Sequence, residues 1–278
     1  MRPIFYCLFI LFYLSACKKD APLHLPDSFL PDSITNVKME LKAVTTNING
    51  TTGGFYVALP SIHNQSRNNF PLLMYLAGAG QLGNGSTDLK NLFKDGPMRL
   101  VNENRFPAIV KSGGKRYSFI VFTPQFKKAP TLSEVNDCIE YAKKNFKVDP
   151  RRIYLGGLSI GGRLTCDFAV QNASRLAAIL SMSGAPVPDN TVKDKCSKIA
   201  AANLPVWSFH NYYDKIFNYN DSKNFVADIN EFNPEVPAKF TLFYTSGGNT
   251  HDAWSKPLDP NYRENGLNIY EWLLQYHR

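Results

Sequence analysis

Gly157-Leu158-Ser159-Ile160-Gly161 sets a hydroxyl among small residues, with the apolar run RRIYLG before it and IGGRLTCDFAVQNA, helical in spacing, behind it. A Ser that projects from so sharp a strand-to-helix turn needs small residues two positions before and two after, or the chain collides with itself. Its hydroxyl is a weak nucleophile until a base removes the proton, and the base needs an acid to orient it. Of the five His residues, His24 lies in a Pro-bearing N-terminal stretch, His63 in the polar loop HNQSRNN, and His277 is penultimate. All three read as surface positions. His251 follows the strand-like KFTLFYTSG, and Asp214 stands in HNYYDKI between it and Ser159. The order nucleophile, acid, base is one in which this constellation occurs. His210, at the end of LPVWSFH, has no strand-end acid between itself and Ser159 and reads as a loop-fixing hydrogen-bond partner. Asp221 lies further into a helical stretch, and Asp252 adjoins His251, where neighbouring side chains diverge. The chemistry implied is acyl transfer: Ser159 attacks, His251 shuttles the proton, and Asp214 fixes the His tautomer.

Such chemistry needs N–H donors aimed at a developing oxyanion. Ile160, directly after the nucleophile, supplies one. The segment LLMYLAGAGQLGNG, one βα unit upstream, supplies the other, with Ala79 N–H as the candidate. That segment also spells G-x-G-x-x-G at Gly78, Gly80 and Gly83, the fingerprint of a dinucleotide loop. A dinucleotide loop passes straight into a helix and is followed by a strand ending in an acid. Here Asn84-Gly85-Ser86-Thr87 intervene and the next strand, YSFIVFTPQ, ends in Gln125. Gly157 and Gly162 bracket four residues as in a phosphate loop, but Arg163 and Leu164 stand where Lys and Ser or Thr are needed.

The elements that must position these groups follow from hydrophobic periodicity. VKMELKAV and GFYVALPSI flank turn residues and read as an N-terminal antiparallel hairpin. PLLMYLAG, YSFIVFTPQ, RRIYLGGLS, LAAILSMSG, LPVWSFHN and KFTLFYTSG read as strands, TLSEVNDCIEYAKKNF as a helix, and GLNIYEWLLQYH as a closing amphipathic helix. This alternation predicts an α/β fold: a mostly parallel central sheet with helices on both faces. Its ligand chemistry belongs at the carboxyl ends of the strands, where every motif above falls.

The chain has 278 residues, 44% of them hydrophobic, enough for one sizeable core. Its formal charge of +8 comes from scattered doublets such as Lys127-Lys128 and Arg151-Arg152, without a basic stripe interleaved with aromatics, which argues against a nucleic-acid partner. Met1 to Ala16 has one early Arg, an apolar run from Ile4 to Tyr13 and then small residues, a signal-peptide layout too short to span a bilayer. Leu14-Ser15-Ala16-Cys17 resembles the lipobox of bacterial lipoproteins, which implies a lipidated Cys17 and a cell-envelope location, facing the periplasm or the outer surface. Residues 17–32 then read as lipidated Cys and tether, and 33–278 as the catalytic domain. Cys138, Cys166 and Cys196 remain; none has metal-ligand spacing, and whether two of them pair stays open.

Taken in order, PLLMYLAGAGQLGNG, FIVFTPQ, DPRRIYLGGLSIGG, LPVWSFHNYYD and THDAW resemble the α/β-hydrolase superfamily. Within it they are similar to bacterial esterases related to polyhydroxybutyrate depolymerases, feruloyl esterases and dienelactone-hydrolase-like carboxylesterases. The resemblance runs from about Pro71 to the C-terminus. Two departures stand out: Ala77 replaces the usual His before the oxyanion glycine, and Gln81-Leu82 replaces the Glu-Arg of one branch. The resemblance implies a serine carboxylesterase without cofactor or metal, acting on acyl or feruloyl groups of polysaccharide or other extracytoplasmic esters. Trp254 either lines its substrate pocket or simply packs. A serine peptidase of the prolyl-oligopeptidase type shares the machinery, although the chain's length leaves no room for an N-terminal propeller. A non-catalytic binding lipoprotein keeping the same fold is a further alternative.

Overall fold

The computed structural model describes residues 28–278; the signal segment, Cys17 and the tether as far as residue 27 lie outside the described residues. In chain order the elements are β1 (Met39–Thr45), β2 (Thr52–Pro60), β3 (Phe70–Leu76), α1 (Pro97–Asn102), β4 (Val110–Ser112), β5 (Lys115–Tyr117), β6 (Ile120–Phe126), α2 (Leu132–Asn145) and β7 (Val148–Leu158). There follow α3 (Ile160–Asn172), β8 (Ala178–Met182), α4 (Val192–Ala201), β9 (Val206–Asn211), α5 (Tyr219–Glu231), β10 (Lys239–Phe243), α6 (Ser255–Leu258) and α7 (Ile269–Leu273).

Eight strands form one sheet in the order β1-β2-β6-β3-β7-β8-β9-β10. The β1–β2 and β2–β6 pairs are antiparallel, and every pair from β6 to β10 is parallel. Because β3 is buried on both faces, its side chains are apolar throughout and divide by alternation. Leu72, Met74 and Leu76 join a cluster with Val135 and Ile139 of α2, Phe168 of α3, Ile199 of α4 and Phe225 of α5. Leu73 and Tyr75 join a second with Met98 of α1, Leu258 of α6 and Tyr270 of α7. The sheet is therefore covered on both sides, as the sequence predicts.

Helix starts are written locally. Thr131 accepts from Glu134 N at 3.3 Å while the Glu134 carboxylate accepts from Thr131 N at 2.8 Å, a capping box that begins α2. The chain passes from β3 to β6 on one side and then returns to β7 on the other. The crevice outside the carboxyl ends of β3 and β7 is thus the switch point at which such sheets bind ligands.

Four features differ from the sequence reading. His63, which reads as a surface position, is buried against Phe70 and Phe146, and its Nε2 accepts from Lys147 N at 3.1 Å. The closing helix is confined to Ile269–Leu273, because Arg152 and the Tyr154 hydroxyl both donate to the carbonyl of Tyr276 and hold the chain end out of helical register. A two-stranded hairpin, β4–β5, turns on Gly113 and Gly114, both at positive φ. Residues 28–32, assigned by composition to the tether, rest on the domain instead. Ser28 and Leu30 are buried, Leu30 N donates to Arg116 O at 2.6 Å, and the Arg116 guanidinium donates to the carbonyls of Pro31, Asp32 and Ile34.

Candidate active site

Ser159 stands at the end of β7 with φ 56° and ψ −121°, a conformation that costs a non-glycine residue about 1–3 kcal/mol. Its surroundings enforce the turn. Ser159 N donates to Met182 O at 2.8 Å, and a Cβ on Gly157 or Gly161 would lie 2.3 Å from Gly161 O or 2.1 Å from Leu76 O. Those neighbours are backbone and have little room to move. Gly161→Ala is expected to cost about 3 kcal/mol by overpacking, a fall of roughly 6–12 °C in Tm at this chain length. Gly80→Ala, whose Cβ would meet nothing within 4 Å, is the control and should melt like the parent. Equal melting of the two variants in a thermal scan would show that the elbow is not so constrained.

The Ser159 hydroxyl donates to His251 Nε2 at 2.8 Å, and His251 Nδ1–H donates to Asp214 Oδ2 at 2.7 Å. The structure therefore brings together the three side chains singled out from the sequence. Asp221 lies on α5, and the Asp252 carboxylate caps the turn after His251 by accepting from Trp254 N and Ser255 N. Asp214 itself is fully enclosed: Oδ1 accepts from the N–H groups of Ile216 and Phe217 at 2.8 and 3.1 Å. Burial alone would push its carboxyl up, but the donors from His210, His251 and these two amides together hold it well below the usual carboxylate range.

His210 is the member that spacing could not assign. It is completely buried, and its Nε2–H donates to the same Asp214 Oδ2 at 3.0 Å, while Nδ1 accepts from the Ser222 hydroxyl at 2.8 Å. His210 therefore fixes a loop, as its place at the end of LPVWSFH predicts, and that loop is the one that carries Asp214. Asn211, passed over in the sequence, performs the same service for the His251 loop. Its Nδ2 donates to Thr245 O and Thr250 O at 2.8 and 2.7 Å, and its Oδ1 accepts from Thr245 N at 3.0 Å. The Ser183 hydroxyl holds His251 O from below at 2.6 Å.

The loop after β3 faces the Ser159 side chain, with a Cβ on Gly78 falling 3.5 Å from Ser159 Cβ. Ile160 N–H opens α3 and Ala79 N–H opens a short 3₁₀ turn over Ala79–Gln81, so neither has an intrahelical acceptor, and neither finds another among the described residues. The glycine fingerprint has a different explanation from a pyrophosphate. Gly83 makes room for Gln125, whose Nε2 donates to Gln81 O and Asp88 O at 3.0 and 2.8 Å and whose Oε1 accepts from Gly85 N at 2.9 Å. Gln81 closes the loop from inside, accepting from Gly78 N at 3.1 Å and donating to Asp95 O at 3.0 Å. The departure at Gln81 thus builds the loop rather than disturbing it.

A cavity of about 170 Å³ lies between Gly78, Ala79, Leu158, Ser159, His251 and Trp254. Trp254 does both things its position allowed. It is nearly buried, meets the His251 ring edge-on at 5.3 Å, lines the cavity, and donates from Nε1 to Asp95 Oδ1 at 2.9 Å. Burial pushes the Asp95 carboxyl up against the pull of that hydrogen bond. Cys138, Cys166 and Cys196 are free and buried, their thiols pushed up to about 12 by desolvation, which leaves them inert packing groups. Among the described residues no group of three or more His, Cys, Asp or Glu side chains could hold a metal ion.

Comparison with known proteins agrees with this architecture. A curated relative, the bifunctional acetylxylan esterase/xylanase of Neocallimastix patriciarum, is 30% identical over 97 residues, 35% of this chain and only 13% of that protein. A thermostable esterase superposes with a TM-score of 0.58 at 20% identity, over 87% of this chain and 64% of that one. The feruloyl esterase module of Clostridium thermocellum, complexed with sinapinate, gives 0.52 at 16% identity over 82% and 89%. A fluorophosphonate-binding serine hydrolase of Staphylococcus aureus gives 0.55 at 15% over 81% and 96%. At these identities the structural likenesses are of fold. The sequence profile of the phospholipase/carboxylesterase family matches residues 60–256, most of the chain. With its doubly covered sheet and its elbow at the switch point, this chain belongs to the phospholipase/carboxylesterase family of α/β hydrolases.

Proposed function

We propose that the chain is a serine carboxylesterase working through an acyl-enzyme on carbohydrate-linked acyl or feruloyl esters outside the cytoplasm. The observation that carries this reading is the continuous hydrogen-bond line from Ser159 through His251 to Asp214, beside two backbone N–H groups that find no acceptor among the described residues. Ser159 Oγ attacks the ester carbonyl as His251 Nε2 takes its proton. Asp214 stabilises the imidazolium that results and keeps Nδ1–H pointed at itself. The Ile160 and Ala79 N–H groups receive the oxyanion, each such donor lowering the barrier by about 3 kcal/mol. The His251 imidazolium then protonates the leaving alcohol, and water repeats the cycle to free the acid and restore Ser159.

The carbohydrate part of the reading is supported by the acetylxylan esterase/xylanase relative and by the feruloyl esterase module, and the envelope location by the signal-like segment and Cys17 in the sequence. The purified full chain is expected to hydrolyse p-nitrophenyl acetate and to be labelled by a fluorophosphonate at Ser159, located by peptide mass mapping. A chain that turns over no aryl ester and takes up no label would favour a binding role for the fold.

A further inference from the structure

Tyr212, Tyr213, Tyr219 and Tyr244 form a continuous aromatic surface at the carboxyl ends of β9 and β10. Tyr212 stacks on Tyr244 at 5.4 Å with the planes 26° apart, tilts on Tyr219 at 4.9 Å, and meets Tyr213 edge-on at 5.1 Å. Tyr212, Tyr213 and Tyr244 are 43%, 44% and 67% exposed. Exposed rings in such number need an explanation, because monomeric domains seldom leave a contiguous apolar patch uncovered without a use for it. Folding does not supply one, since these rings lie outside both core clusters.

The surface shares a loop with the site. Tyr212 and Tyr213 immediately precede Asp214, and Tyr212 N donates to Phe243 O, tying the loop to the end of β10. Three residues after the acid, Phe217 has its backbone N–H on Asp214 and its ring 5.6 Å from His251, with the Arg163 guanidinium over that ring at 4.7 Å. One short loop therefore carries the acid of the triad, the ring that walls the His, and the aromatic surface outside. We propose that this surface is a subsite for the saccharide portion of the substrate, gripping the sugar chain while an acyl group on it enters the cavity at Ser159. The inference rests on the esterase reading above and deepens it.

The chemistry favours a sugar chain over other occupants. A pyranose presents C–H groups on its faces and hydroxyls around its rim, and a Tyr matches both with an apolar ring and a polar tip. A lipid surface would be met by aliphatic side chains and several cations; here Ile216 and Lys215 alone accompany the rings on this loop. Rigid aromatic side chains also lose little conformational entropy on binding, which suits repeated capture of a polymer.

The test compares kcat/KM on acetylated xylan and on feruloylated arabinoxylan with that on p-nitrophenyl acetate, for the parent and for Tyr213→Ala/Tyr244→Ala. The polymer-to-aryl-ester ratio is expected to fall about tenfold in the double Ala variant and to stay near the parent value in Tyr213→Phe/Tyr244→Phe, which keeps the rings. A parent that cleaves the aryl ester but neither polymer, or a ratio untouched by the Ala variant, overturns the subsite and leaves the esterase reading standing. A double Ala variant that instead loses binding to anionic lipid vesicles, or changes its oligomeric state by light scattering, assigns the surface to another occupant and also overturns it. Absence of aryl-ester turnover in the parent fails the underlying reading.

Discussion

Replacing Ser159 by Ala is expected to lower kcat on an aryl acetate by on the order of 10⁴- to 10⁶-fold. In the proposed mechanism nucleophile and base act as a unit, so removing either forfeits nearly all the covalent chemistry. What survives is the orientation and oxyanion binding supplied by the loop after β3 and by Ile160. The fold should survive too. Ser159 Oγ contacts His251 and holds no structural carbonyl, and Ala at this φ bears no more strain than Ser. The variant should therefore match the parent in Tm while losing both turnover and fluorophosphonate labelling. Turnover within tenfold of the parent would remove Ser159 from the mechanism.

Asp214→Asn should cost nearly as much, about 10⁴-fold in kcat, for a reason visible in the four groups around the carboxylate. All four donate: two imidazole N–H groups to Oδ2 and two backbone N–H groups to Oδ1. An amide offers one oxygen, so either way round its NH₂ faces two donors. The relaxed solution turns His251 into the wrong tautomer, with Nε2–H directed at Ser159, where it can no longer accept the hydroxyl proton. Stability should report the same arrangement. Because the folded protein holds the Asp214 carboxyl below its unfolded value, its stabilisation is present above about pH 4 and is lost as pH falls further. The Tm gap between parent and Asn variant is thus expected to be wide at neutral pH and to narrow in acid. A gap that widens on acidification, or an Asn variant with near-parental kcat, would contradict this account.

What the sequence reveals about this site is whatever is encoded within a short window. The elbow declares itself because sterics demand small residues at fixed offsets from Ser159, and Asp214 and His251 follow from strand-end placement and chain order. His210 and Asn211 do not declare themselves, since their meaning lies in partners 4 to 39 positions away that converge only when β9 and β10 pair. Gln125 was informative in the sequence only as an acid that is missing, whereas in the folded chain its amide clasps the loop after β3. The Gly113-Gly114 turn of β4–β5 was legible in principle, being a hairpin signal, but its strands are too short to show alternation. Composition likewise separates residues 28–32 from the domain, because nothing local reveals that Arg116, more than eighty residues on, collects the carbonyls of Pro31 and Asp32.

That last feature sets the polarity of the whole molecule. Residues 28–34 seat beside β5 and the start of β6, whereas Ser159, Asp214 and His251 gather where the parallel strands finish. The place where the leading segment joins the body and the place where Ser159 and His251 meet are thus at opposite ends of the parallel strands, so bulky material met at one end leaves the other unobstructed.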